Sequence, residues 1–315
     1  MNLKVHNPCN EHTRYYRNYN LFWDELTDKL KEKYNVIENR YFENAHKERF
    51  TVYFDSLTSE RGLELQECDY VIENLDNGDF YILSVSDDLS QPLLSEQNNP
   101  KLKKVLFSQF IDYKIKHHTG INYNKFSPWI YFQSNLTDLE VYYKKRQLKN
   151  NFIKKLYFRG NVNDRPILEH FTKSILDGPN YIGNSKVYFD ELINYEIGLS
   201  IAGVGELCYR DIEYMALGIP FIRFEFQSEL SEKLIPNYHY ISIPYDKSIP
   251  KHNEVHTDRL GEKEHVLQIE ARFREVIRDE DFLRFISKNS RKYYEDFLST
   301  NSRINKTLKI LNLDD

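Results

Sequence analysis

Residues 195–223 read YEIGLSIAGVGELCYRDIEYMALGIPFIR, and no other stretch restricts the fold of this chain so closely. The apolar run 197–202 predicts a strand, Gly203-Val204-Gly205 a tight turn, and the spacing that follows a helix over about 208–217. Gly218-Ile219-Pro220 stops that helix, and the apolar run 221–226 predicts a second buried strand. Strand, glycine turn, helix and strand make half of a doubly wound α/β sheet. The helix start then lies where such sheets bind nucleotides. Arg210 falls in the first turn of that helix.

The glycine loop completes neither common nucleotide fingerprint. G-x-G-x-x-G needs a glycine at 208, where the chain has Cys208, and the Walker pattern G-x-x-x-x-G-K-[ST] is absent. What is left is an anion site. Free amides and the helix dipole favour phosphate there, and a guanidinium takes phosphate oxygens two at a time. The competing reading pairs Arg210 with Asp211 or Glu213 on the surface of its own helix.

Strands and helices alternate on both sides of residue 150, and 315 residues suit two domains of ordinary size. The expected fold class is α/β: two Rossmann-like doubly wound domains facing a cleft, with C-terminal helices. Residues 1–150 would form an N-terminal α/β domain and 151–280 a second, nucleotide-binding one. Helices in 281–315 would pack back toward the first. Pro166 is expected to open a helix. Three cysteines without metal spacing make a disulfide framework or a cysteine metal site unexpected. The polar opening and the lack of a long apolar run fit a cytoplasmic protein with no transmembrane segment.

The net charge of −5 is unevenly spread, with 14 Lys and Arg against 4 Asp and Glu in residues 101–165. A polyanion such as nucleic acid is one partner for that segment. A solvated Lys-rich helix over 144–155 is at least as good an account, and the chain as a whole is acidic.

Three further groups carry chemistry. Arg159-Gly160 ends a strand at the carboxyl edge of the second sheet, with Arg165 in the loop beyond. Arg159 and Arg210 from adjacent strand ends could clamp one pyrophosphate and stabilise it as a leaving group without a metal. Asp87, or its neighbour Asp88, ends the apolar strand of 80–85 and could deprotonate an acceptor hydroxyl. An acidic turn or helix cap is the commoner fate of Asp-Asp. Trp129 could stack on a sugar face, although a buried core tryptophan is more frequent. The ten histidines show no metal-ligand spacing.

With those residues in view, the chain resembles the protein O-glucosyltransferase / capsule-associated protein family, which includes bacterial lipopolysaccharide glycosyltransferases. The matching segments are DFYILSVSDDLSQP (79–92), FSPWIYF (126–132), KKLYFRGNVNDRPIL (154–168), the 195–223 stretch with Arg210 and Gly218, and NYHYISIPYD (237–246). The resemblance implies a GT-B fold and inverting, metal-independent transfer from a nucleotide-diphosphate sugar, often a UDP-sugar, with no other cofactor. It makes Asp87 the base and gives the diphosphate to Arg159 and Arg210. Backbone contacts come from Gly203, Val204, Gly205 and Glu206, and Gly160, Arg165 and Glu213 join the donor side. Trp129 falls on the acceptor side, and the acceptor would be a glycan, lipopolysaccharide or protein hydroxyl. The cysteines are too few for the secretory setting of the eukaryotic members, the glycine loop is one residue longer, and residues 1–78 match nothing in the family. A nucleic-acid acceptor and a non-catalytic nucleotide- or sugar-binding protein are the alternatives.

Overall fold

Parallel strands buried on both faces need near-continuous apolar sequence, whereas surface helices need an apolar stripe. Both patterns are realised in the computed structural model, which describes residues 1–7, 17–40, 49–52, 63–66, 69–84, 98–107, 123–129, 139–159, 166–177, 185–201, 208–226, 230–244 and 262–314. The α-helices among those residues, in chain order, are α1 (Arg17–Lys31), α2 (Leu139–Gln147), α3 (Ser185–Leu192), α4 (Tyr209–Leu217), α5 (Glu262–Val276), α6 (Glu280–Tyr293) and α7 (Thr300–Ile310). The chain divides into two compact units, one of residues 1–134, 228–233 and 297–315, the other of 135–227 and 234–296.

The first unit holds strands β1 (Asn2–Asn7), β2 (Asn35–Arg40), β3 (Arg49–Val52), β4 (Leu63–Gln66), β5 (Asp69–Asn74), β6 (Phe80–Ser84), β7 (Leu102–Phe107) and β8 (Phe126–Pro128). β3 and β4 pair with each other, and the rest form one sheet in the order β2-β1-β5-β6-β7-β8. β5 runs antiparallel to both its neighbours, β1 and β6, while the other pairs are parallel. The sheet is therefore mixed, with β5 running against five strands that are parallel to one another. Its core joins Leu3, Val5 and Ile72 of the sheet to Phe22, Trp23 and Leu26 of α1 and to Ile304 and Leu308 of α7.

The second unit is built on β9 (Ile153–Tyr157), β10 (Leu176–Asp177), β11 (Tyr195–Leu199), β12 (Phe221–Phe224) and β13 (Ile241–Ile243). They lie in the order β10-β9-β11-β12-β13, and every pair is parallel. The chain leaves β9 for β10 on one side and then crosses to β11 on the other. That reversal puts the topological switch point between the carboxyl ends of β9 and β11, where open parallel sheets take ligands.

Two expected boundaries move. α2 belongs to the second unit, because Tyr142 packs on Phe189 and buried Arg146 donates to the carbonyls of Ile193 and Tyr195. α6 stays there too, with Ile286 in its core and Ser287 donating to the Gly218 carbonyl. Of residues 281–315, those from 297 onward join the first unit. Pro166 opens a 3-10 turn, Pro166–His170, in place of the expected α-helix.

His239 is buried beside the rings of Tyr238 and Tyr293, and its Nδ1 accepts the Ile235 amide at 2.9 Å. Burial lowers its pKa from 6.5 to about 4. A histidine kept neutral in the fold supports stability fully above the unfolded-state pKa. That support is lost as pH falls from about 6.5 toward 4. Urea unfolding of wild type should therefore weaken over that window more steeply than that of His239→Asn; parallel pH profiles would refute the assignment.

Candidate anion-binding site

The head of α4 is fixed from both ends. Cys208 caps it in extended conformation (φ −100°, ψ 153°), and the Asp211 carboxylate accepts the Cys208 amide at 2.8 Å. Gly218 closes the helix in the left-handed region (φ 60°), its amide bonding the Met215 carbonyl and the next amide that of Tyr214. That conformation favours glycine, which accounts for the Gly218 stop. Asp211 is also ion-paired with Arg223 on β12 at 2.8 Å, with side chains 0% and 4% exposed. The helix start is thus tied to the strand beside it.

Tyr214, one turn further along α4, fixes the helix to the switch point itself. Its hydroxyl lies 3.0 Å from the Tyr157 carbonyl, ending β9, and 3.1 Å from that of Leu199, ending β11. Its ring lies over Gly198, where a Cβ would stand 2.5 Å from the ring carbon Cζ. The glycine makes that approach possible.

Arg210 occupies the space this framework leaves. The half-buried guanidinium sits 4.1 Å from the centre of the Phe158 ring and donates through NH2 to the Arg159 carbonyl at 2.6 Å. Its Nε is buried and meets no acceptor among the described residues. Neither neighbour on the helix forms an ion pair with it, since Asp211 is taken by Arg223 and Glu213 accepts the Tyr188 hydroxyl at 2.8 Å. Burial opposes the charge on Arg210, but Tyr214, Tyr188, Cys208 and Glu213 around it raise its pKa, so it stays a cation. Burial raises the pKa of Glu213, with Tyr188 and Arg210 pulling it back in part.

Arg159 arrives at the same place differently from expectation. Its backbone carbonyl anchors Arg210, but its guanidinium turns to Glu191 (3.1 Å from Nε, 3.0 Å from NH2) and to the Asp177 carbonyl at 2.6 Å. Glu191 also accepts the Tyr157 hydroxyl at 3.2 Å, and Tyr195 donates to Asp177 at 2.5 Å. Burial and that bond push the Tyr195 hydroxyl up to about 12. The two arginines meet through a carbonyl, and among the described residues Arg159 has a carboxylate partner whereas Arg210 has none.

Glu213 stands with Arg210 at this site. Trp129 does not belong to any exposed surface. Its ring is 2% exposed in the first unit's core against Phe22 and Trp23, and its indole N–H donates to Thr307 at 3.0 Å. A ring so enclosed has no face to stack on a sugar. Asp87, Asp88, Gly160, Arg165, Gly203, Val204, Gly205 and Glu206 lie outside the described residues. The sequence reading missed Tyr188, Glu191, Tyr214 and Arg223. Arg223, a charge inside the apolar strand Phe221–Phe224, was the one signal available. Among the described residues no three His, Cys, Asp or Glu side chains converge as a metal ion would need, and no helix is long and apolar enough to cross a membrane.

No protein-family model and no curated protein matches this chain. Among solved structures, a glycosyltransferase from Rickettsia africae ESF-5 is similar over 71% of this chain and 67% of its own, at 13% identity and a TM-score of 0.44. Likeness at that distance leaves function to be argued from the site.

Proposed function

We propose that this chain is a glycosyltransferase that takes its sugar from a nucleotide-diphosphate donor, a UDP-sugar being favoured. The observation that carries the reading is Arg210: a half-buried cation without a carboxylate partner among the described residues, at a helix start, on the switch point of a parallel sheet. Such a group suits a diphosphate, whose charge grows as the glycosidic bond breaks and which a preorganised cation stabilises at no reorganisation cost. Glu213 and the glycine loop of 203–206 belong to the same donor site in this reading. Arg159 joins it only by exchanging Glu191 for phosphate oxygens.

The reaction is inverting and metal-independent. A hydroxyl of a glycan, lipopolysaccharide or protein acceptor attacks the anomeric carbon, and its proton passes to Asp87. The carbon–oxygen bond to the diphosphate breaks, and the electron pair leaves with the phosphate. Titration calorimetry with UDP, GDP, ADP, CDP and the matching monophosphates tests the donor site. We expect at least one diphosphate to bind more tightly than its monophosphate, and silence across the panel refutes the reading. Asp87→Asn should abolish transfer while leaving nucleotide affinity within about twofold, because a base acts on bond-making rather than on donor binding. Turnover that survives a divalent chelator is expected; loss on chelation with recovery on adding the metal back would overturn the metal-free mechanism.

A further inference from the structure

We infer that the amino-terminal edge of the second unit's sheet, at the opposite strand ends from Arg210, carries a second binding site. Its ligand class is the phosphate monoester of a small polyol. The inference is independent of the donor site. A cavity of about 440 Å³ opens where β9, β11 and β12 begin, lined among others by Arg146, Phe152, Glu196, Pro220, Leu283 and Ser287. That volume lies in the range of small-molecule pockets.

Arg146 is only 5% exposed, a burial that a guanidinium rarely accepts without full pairing. Its NH1 donates to the carbonyls of Ile193 and Tyr195 at 3.1 and 2.6 Å, and the group lies 4.2 Å from the Phe152 ring centre. Its Nε and NH2 meet no acceptor among the described residues. Glu196 lines the same cavity with Oε2 buried and lacking a donor among those residues. No ion pair joins the two. Each bears the mark of that isolation: burial draws Arg146 down to about 10 and raises the Glu196 carboxyl.

Arg146 and Glu196 therefore offer two free donors and a free acceptor within one cavity. One ligand answers both if it brings an anionic oxygen to Arg146 and a hydroxyl to Glu196. The wall completes the charge count. Lys154 is paired with Glu280 at 3.4 Å and Arg284 with Asp281 at 3.0 Å, which leaves Arg146 and Lys149 against Glu196, a net positive lining that suits an anionic phosphate group. Asn150, Asn151 and Ser287 supply further partners for polyol hydroxyls.

Titration calorimetry of the full chain with glucose 6-phosphate, inorganic phosphate and glucose, each with UDP present in excess, tests the site. Glucose 6-phosphate should bind most tightly, inorganic phosphate more weakly, and glucose not measurably. Arg146 holds two backbone carbonyls, so the informative variants are Glu196→Ala and Lys154→Glu. Glu196→Ala should weaken glucose 6-phosphate about tenfold, the size of one charge-assisted hydrogen bond, and leave inorganic phosphate no weaker. Lys154→Glu should weaken both phosphates, and Arg210→Met neither. No heat from either phosphate, equal affinity for the two in wild type, or affinities indifferent to both informative variants would overturn the site. Loss of glucose 6-phosphate binding in Arg210→Met would assign it to the opposite edge and likewise overturn the inference.

Discussion

Arg210→Met is expected to cost the chain about a hundredfold in affinity for a nucleoside diphosphate while barely changing its stability. Two charge-assisted hydrogen bonds from a guanidinium to phosphate contribute about 1.5–3 kcal/mol each, and about 2.7 kcal/mol already corresponds to that factor. Against this, the fold draws little from the charged head. Among the described residues it makes one hydrogen bond, to the Arg159 carbonyl, and lies over Phe158. Its buried Nε has no acceptor among the described residues, so removing it relieves a desolvation cost. Methionine keeps an unbranched apolar stem against the Phe158 ring. Lysine at 210 should recover part of the affinity, since it restores the charge but not the forked geometry. Calorimetry and urea unfolding on the same preparations separate the two effects. Affinity for the best diphosphate within twofold of wild type would remove Arg210 from the site, and with it the main support for the proposed activity.

What was legible in the sequence was mostly local. α4 and its stop were readable because Gly218 and Pro220 act within a few residues, and the Arg210 position followed from the helix start. The direction of β5 was not readable. A strand buried on both faces has the same composition whether its neighbours run with it or against it, and CDYVIEN carries no mark of either. The short turn at Pro166 misled for a similar reason, since proline opens α and 3-10 helices alike. In the site, the missed facts are long-range. Glu191 occupies Arg159 across 32 positions of sequence, and Thr307 buries Trp129 across 178. The sequence placed Arg159 at a strand end and left Trp129 between a sugar face and a buried core, and only tertiary structure decides whether such a residue faces a ligand or a partner in its own chain.

Gly198→Ala is expected to be the most damaging single-methyl change in the second unit, because the methyl has no room. Its carbon would stand 2.5, 2.6 and 2.7 Å from Cζ, Cε2 and Cε1 of Tyr214. The ring cannot simply swing away: it is fully buried, packs on Phe221 at 5.5 Å, and its hydroxyl is held by two strand-end carbonyls. Overpacking of this kind costs about 1–3 kcal/mol, and losing the hydroxyl's bonds adds about 1 kcal/mol more. Tyr214→Phe alone should cost only about that last amount. In the double variant Gly198→Ala/Tyr214→Leu the clash is gone, so it should be less destabilised than the sum of its single changes. Strict additivity in urea unfolding would show that the methyl and the ring never met. The same displacement reaches the site, since Tyr214 and Arg210 lie one turn apart on α4. Gly198→Ala protein that remains folded should bind nucleoside diphosphate more weakly although position 198 touches no ligand. A destabilised variant with unchanged affinity would instead mean that the Arg159 carbonyl and the Asp211–Arg223 pair hold the helix start without help from Tyr214.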